Sequence, residues 1–174
     1  MAYHQHHVEF YTATILEWLP VLQNDLHKQI LIEAIRHRVD NGELTVYGFV
    51  IMPNHFHIIW RISDSIHKAD FQRDFMKFTA RSMLKFMLMH DDNLVHSLKV
   101  KAADRKYQVW ERNSLSIELF TEPVFMQKLN YIHNNPLQPK WSLCSLPENY
   151  FYSSAKFYET GGENDFGILT HFRE

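Results

Sequence analysis

The chain has 174 residues, 45% of them apolar, with a formal net charge of −2. That length and apolar content suit a single folded domain with its own core and exclude an intrinsically disordered chain. Cys144 is the only cysteine, which excludes an intramolecular disulfide and a cysteine-based zinc site and fits a reducing, cytoplasmic setting. No apolar run approaches the roughly 20 residues that cross a bilayer, so no membrane partner is expected. The slight acidity argues against nonspecific coating of duplex DNA.

The N-terminus lacks the basic and apolar regions of a signal peptide, and His4, His6 and His7 read as an exposed tail. Phe10 to Trp18 is rich in aromatic and β-branched residues and predicts a first strand, interrupted by Pro20. Asn24 or Asp25 then caps a helix in which Leu22, Leu26, Ile30, Leu31, Ile35 and Val39 recur at helical spacing, with Asn41-Gly42 as its stop. Val46 to Trp60 predicts a β-hairpin turning at Pro53-Asn54. Because side chains alternate along a strand, His55 and His57 project from one face and Phe56, Ile58 and Trp60 from the other. Two neighbouring imidazoles can hold one metal ion, or one anion when protonated. In a chain with 12 histidines such a pair can arise by chance, and a lone pair of this kind is more often structural or incidental.

Asp64 and Ser65 predict the start of a second helix reaching about His90, with Phe71, Phe75, Phe78, Met83, Phe86 and Met87 as its buried stripe. On its other face Arg73, Lys77, Arg81 and Lys85 recur every fourth residue, so four cations share one ridge. Like charges at that spacing repel mildly, which a nucleic-acid backbone along the ridge would offset, as would water and salt. Residues 91–108 read as a loop, and a second basic cluster spans Lys99, Lys101, Arg105, Lys106 and Arg112. Tyr107 and Trp110 interleave with these cations, as in a channel that combines charge with base stacking, or else tuck into the core. Ser116 to Phe120 predicts a fourth strand.

Thr121 and Pro123 open a further helix running through Phe125, Leu129 and Ile132 and ending at Asn135 before Pro136. Tyr131 and Asn135, four apart, share a face of it. The run Tyr150 to Ala155 is expected to pack back, and Gly161-Gly162 opens a polar tail. The expected organisation is thus one domain over 1–174, with its core at about 8–160 and a tail at 161–174. The element order predicts a ferredoxin-like α/β (α+β) sandwich: an antiparallel sheet, helices on one face, the other face free for a ligand, and a C-terminal helix carrying Tyr131.

Met52-Pro53-Asn54-His55-Phe56-His57, followed some seventy residues later by Tyr131-Ile132-His133-Asn134-Asn135-Pro136, resembles the HUH-type single-tyrosine transposases, and among them the REP-associated branch, the RAYT proteins. Val109 to Asn113 and Tyr152-Ser153-Ser154 also look like family positions, so the resemblance spans roughly residues 8–160. It implies that His55, His57 and Asn135 are ligands of a divalent metal, Mg²⁺ or Mn²⁺, and that Tyr131 is a nucleophile. It also implies the same ferredoxin-like fold. Gln138-Pro139-Lys140 stands where relatives usually have a Gly-containing turn, and the N-terminal segment diverges.

The chemistry implied is transesterification of a single-stranded or hairpin DNA, leaving a 5′-phosphotyrosine and a free 3′-hydroxyl that can reseal without ATP. Arg73, Lys77, Arg81, Lys85, Arg105, Lys106, Trp110 and Arg112 are the expected DNA contacts. A hairpin DNA- or RNA-binding module without catalysis, and a hydrolase using metal-bound water, are the two alternatives. Homodimer and monomer both remain open.

Overall fold

The computed structural model describes residues 5–90, 92–162 and 166–174. Its centre is a four-stranded antiparallel sheet in the order β2-β3-β1-β4, with β1 at Glu9–Thr14, β2 at Leu44–Ile51, β3 at His55–Ile62 and β4 at Leu115–Glu118. Helices α1 (Asp25–Asp40) and α2 (Lys68–Met89) follow β1 and β3, which completes the predicted ferredoxin-like topology. A short helix α3 (Leu94–Ser97) lies within the expected 91–108 loop. It is followed by α4 (Glu122–Asn134) and α5 (Ala155–Thr160). Among the described residues, no helix is long and apolar enough to cross a membrane.

The hairpin sorts its side chains as period-two alternation requires. Phe56, Ile58 and Trp60 enter the larger core, where α1 brings Leu31, Ile32 and Ile35 and α2 brings Phe71, Phe75, Met83 and Met87. Ile59, with Phe10, Val50 and Met52, faces the other way into a second core formed with Phe125, Leu129 and Ile132 of α4. The face opposite α1 and α2 is therefore partly roofed by the tyrosine helix. A bulge between Val46 and Gly48 shifts the register of β2. Gly48 then permits close approach, because a Cβ there would lie 2.6 Å from Leu129 Cδ1 and 3.3 Å from both Ile132 Cδ1 and Ser154 Oγ.

At the rim of the sheet, Glu9 is 1% exposed yet fully engaged. Its carboxylate accepts from Trp60 Nε1 at 2.7 Å, from Gln72 Nε2 at 2.8 Å and from the Ser116 hydroxyl, and it pairs with Lys68 Nζ at 2.7 Å. A buried charge is tolerated when satisfied in this way.

Several boundaries differ from expectation for local reasons. β1 ends at Thr14 because Ile15 N–H and Leu16 N–H are taken by Asn54 O and Val109 O, and Leu16–Trp18 turns as 3₁₀ helix. The cap of α1 is Asn24, whose side chain accepts from Leu26 N–H at 2.9 Å; Leu22 precedes the helix, and Leu26 is exposed. α2 starts at Lys68 because Asp64 is occupied by His6 N–H and Arg61. Phe78 points outward while Thr79 fills the buried position. Asn135 keeps helical dihedrals before Pro136, the chain tightening into a 3₁₀ turn at Asn135–Leu137 instead of breaking. The expected polar tail is anchored: Thr170 N–H bonds Val46 O, Ile168 is buried and Phe172 packs on Phe125. His4 lies outside the described residues, whereas the His6 ring hydrogen-bonds Ile66 O at 2.8 Å.

Gly48→Ala is expected to lift α4 from the sheet and lower stability by about 1–3 kcal/mol, read as a lower urea midpoint. An unchanged midpoint would mean that Leu129 repacks with α4 in place.

Candidate active site

The site is built where β3, β1 and α4 meet. β3 presents His55 and His57 on its α4-facing side, with ring centroids 4.8 Å apart. Opposite them β1 supplies Phe10, stacked on His57 at 5.2 Å, and Thr12, whose Oγ1 shares a 2.7 Å hydrogen bond with His57 Nδ1. α4 buries Phe125, Leu129 and Ile132, which leaves Lys128 and Tyr131 on the flank beside the imidazoles, with Asn135 one turn beyond Tyr131 in the 3₁₀ turn that follows. The Tyr131 ring stands edge-on to His57 at 5.3 Å and to Phe10 at 6.1 Å, and Tyr131 remains 44% exposed. A phenol and two imidazoles more than seventy residues apart in sequence are thus neighbours, with the phenol open to solvent.

Hydrogen bonding fixes the His55 ring. Asn54 Nδ2 donates to Trp18 O at 3.2 Å, so Asn54 Oδ1 is free to accept the Nδ1–H of His55 at 2.7 Å. The bare lone pair of His55 is therefore on Nε2. For His57, donating Nδ1–H to Thr12 likewise leaves Nε2 bare, and that atom is buried without a partner among the described residues. Asn135, 2% exposed, has its Oδ1 in the same condition.

Buried acceptors without donors are costly, and two imidazole nitrogens with an amide oxygen are a donor set for a divalent cation. Imidazoles oriented by hydrogen bonds through the far nitrogen have the usual form of metal-binding histidines. The residues present therefore fit Mn²⁺, and Mg²⁺ less closely, since imidazole suits the former better. Among the described residues, no group of three or more His, Cys, Asp or Glu gathers to hold a metal.

The electrostatics separate two roles that the sequence leaves joined. Burial, then Lys140, holds His55 down at about 4; burial, then His55, Lys128 and Lys140, holds His57 at about 3. Both imidazoles are neutral at pH 7, suited to a cation and not to an anion held by protonation. Positive charge at the site comes instead from Lys128, whose Nζ lies 4.9 Å from the Phe10 ring and 6.0 Å from the Tyr131 ring, and from Lys140. His133 points away from Tyr131, its Nε2 meeting Ser154 Oγ at 2.8 Å, which ties α4 to the segment lying along β2.

The expected DNA contacts fall elsewhere. Arg73, Lys77, Arg81, Arg105 and Arg112 line a groove of about 820 Å³ between α2 and the 104–114 segment, on the side of the sheet away from the imidazoles. Lys85 and Lys106 do not line it. Arg73 is paired with Asp70 and Asp74, and Lys106 Nζ sits over Tyr107. Trp110 is a correction: it is 7% exposed, packs on Phe56 at 5.5 Å and donates Nε1–H to Thr79 Oγ1, so its ring is not available for stacking. The sequence reading missed Lys128, Lys140, Thr12 and Asn54. Only Lys128 carried a signal, one turn before Tyr131 on the same face.

No family model and no curated protein sequence matches the chain. Among solved structures, the fold is similar to that of a REP-associated tyrosine transposase bound to a REP hairpin. The TM-score is 0.64 at 16% identity, covering 92% of this chain and 84% of that one. A transposase-named protein from Deinococcus radiodurans R1 gives a TM-score of 0.48 at 19% identity, covering 77% of this chain and 94% of that one. At such identities the likeness to the first establishes a shared fold.

The depressed imidazoles make stability pH-dependent. The unfolded chain protonates His55, His57 and His133 near 6.5, while burial holds the folded values to about 4, about 3 and about 4. Protons therefore bind the unfolded state first, and stability is lost as pH falls from about 6.5 to about 3. Melting temperatures across that range are expected to drop steeply and to level off above pH 7; a flat profile would show that the imidazoles are solvated.

Proposed function

We propose that this chain is a metal-dependent DNA strand transferase that cleaves and rejoins single-stranded or hairpin DNA through a covalent link to Tyr131. The observation that carries the reading is the approach of the half-exposed Tyr131 ring to within 5.3 Å of the buried, neutral His57. The order of the two motifs that resemble the HUH-type single-tyrosine transposases supports it. So does the shared fold with a tyrosine transposase that binds a REP hairpin.

On this reading, His55 Nε2, His57 Nε2 and Asn135 Oδ1 hold the divalent cation, which when bound supplies Lewis-acid polarisation of the scissile phosphate. The rest falls to the chain itself. Lys128 and Lys140 offer charge to the nonbridging phosphate oxygens and raise the local concentration of strand. Asn54 and Thr12 keep the imidazoles oriented. Tyr131 Oη attacks phosphorus, forming the P–Oη bond as the P–O3′ bond breaks. The phenolic proton leaves to solvent and the departing 3′ oxygen takes one up. A second 3′-hydroxyl reverses the exchange, because the phosphodiester energy is retained in the tyrosyl ester.

One observation favours a second reading, a hairpin-binding module without catalysis. The basic groove lies on the far side of the sheet and has no need of Tyr131.

Incubation of the protein with Mn²⁺ and hairpin oligonucleotides is expected to yield denaturation-resistant adducts, seen as a gel shift. Tyr131→Phe abolishes them, His55→Ala reduces them by at least about 100-fold, and joint Lys128→Ala and Lys140→Ala changes slow them by roughly 10- to 100-fold. Cleavage that survives Tyr131→Phe would assign attack to water, and binding with no adduct would favour the second reading.

A further inference from the structure

We propose that Trp18 is a base-stacking platform that receives an unpaired nucleobase beside the scissile position. The proposal rests on the strand-transferase reading and names the residue that receives a base of its single-stranded substrate. Of the four tryptophans, Trp60 and Trp110 are buried and Trp141 is half-buried, but Trp18 is 60% exposed. Its ring lies 6.2 Å from His55, edge to face, so an open indole surface adjoins the imidazole pair.

The backbone holds it there against local preference. Glu17 and Trp18 have φ of +52° and +57°, two successive non-glycine residues in the left-handed region. Each is restrained from outside the turn. Glu17 N–H donates to Glu111 Oε1 at 2.8 Å, and Trp18 O accepts from Asn54 Nδ2. Asn54 also fixes the His55 ring, so one side chain ties the Trp18 backbone to the imidazole. A large apolar ring kept in water on a strained, cross-braced turn stabilises nothing in the fold that its burial would not serve better. A base is the partner that fits. It offers a flat apolar face of matching size, and the phosphate attached to it would meet the charge of Lys128 and Lys140.

The test is binding, measured without chemistry. In the Tyr131→Phe background with EDTA, fluorescein-labelled oligothymidylate is titrated and read by anisotropy, and tryptophan emission is followed in parallel. Trp18→Ala is expected to weaken binding by about 5- to 150-fold, to abolish most of the emission quenching and to leave the melting temperature unchanged. Trp18→Phe restores most of the affinity, and a blunt duplex binds all variants alike. Oligothymidylate affinity that is equal in Trp18→Ala and the parent overturns the proposal. So does a change in sedimentation without a change in affinity, which would assign the indole to contacts between copies. Adducts formed by the Tyr131-intact chain with no dependence on Trp18 sink stacking alone. Trp18-dependent binding without any adduct leaves stacking standing and removes the tyrosine chemistry.

Discussion

The close approach of α4 to β2 is the contact on which the candidate site depends. Gly48 presents no side chain where Leu129 and Ile132 descend, and any Cβ there would overlap Leu129. The height of α4 above the sheet is set by that absence, and the flank carrying Lys128, Tyr131 and Asn135 is set by α4. Two further ties act in the same direction. His133 reaches Ser154, whose hydroxyl accepts from Phe49 N–H, and the segment through Ser153 bridges to Val50. Packing, not local preference, brings the phenol beside the imidazoles.

Burial then decides what the imidazoles can be. Placed under α4 with two lysines nearby, His55 and His57 lose their protons and keep their lone pairs, while the lysines hold the positive charge. The site thus presents neutral imidazole nitrogens and a cationic rim. On the far side, a basic groove lined by α2 offers a separate surface for a polyanion. Basic side chains therefore stand beside both faces of the sheet, lysines at the imidazoles and mainly arginines in the groove.

Much of the fold was legible because its signals are local. The Pro53-Asn54 turn, the alternation through Trp60, the Asn24 cap and the apolar spacing of α4 each rest on a few adjacent residues. The His55–His57 pair and the shared face of Tyr131 and Asn135 were readable for the same reason. Their convergence was not, since periodicity places a side chain on a face but does not say which faces meet. Trp110 misled for this reason: a tryptophan among cations reads as a stacking platform until Thr79 and Phe56 are seen to enclose it. Trp18 was hidden because a strand-like composition gave no hint that left-handed residues would break it. The C-terminal segment looked polar because its anchors, Ile168 and Phe172, are isolated in sequence and act through the free edge of β2 and through Phe125.

The approach of the phenol to the imidazoles is tested most directly by paramagnetic broadening. With tyrosine rings selectively carbon-labelled, substoichiometric Mn²⁺ should erase the Tyr131 resonance first, spare Tyr107 in the far groove, and lose this effect in a His55→Ala, His57→Ala chain. A Tyr131 signal that stays sharp while Mn²⁺ broadens others would contradict the account.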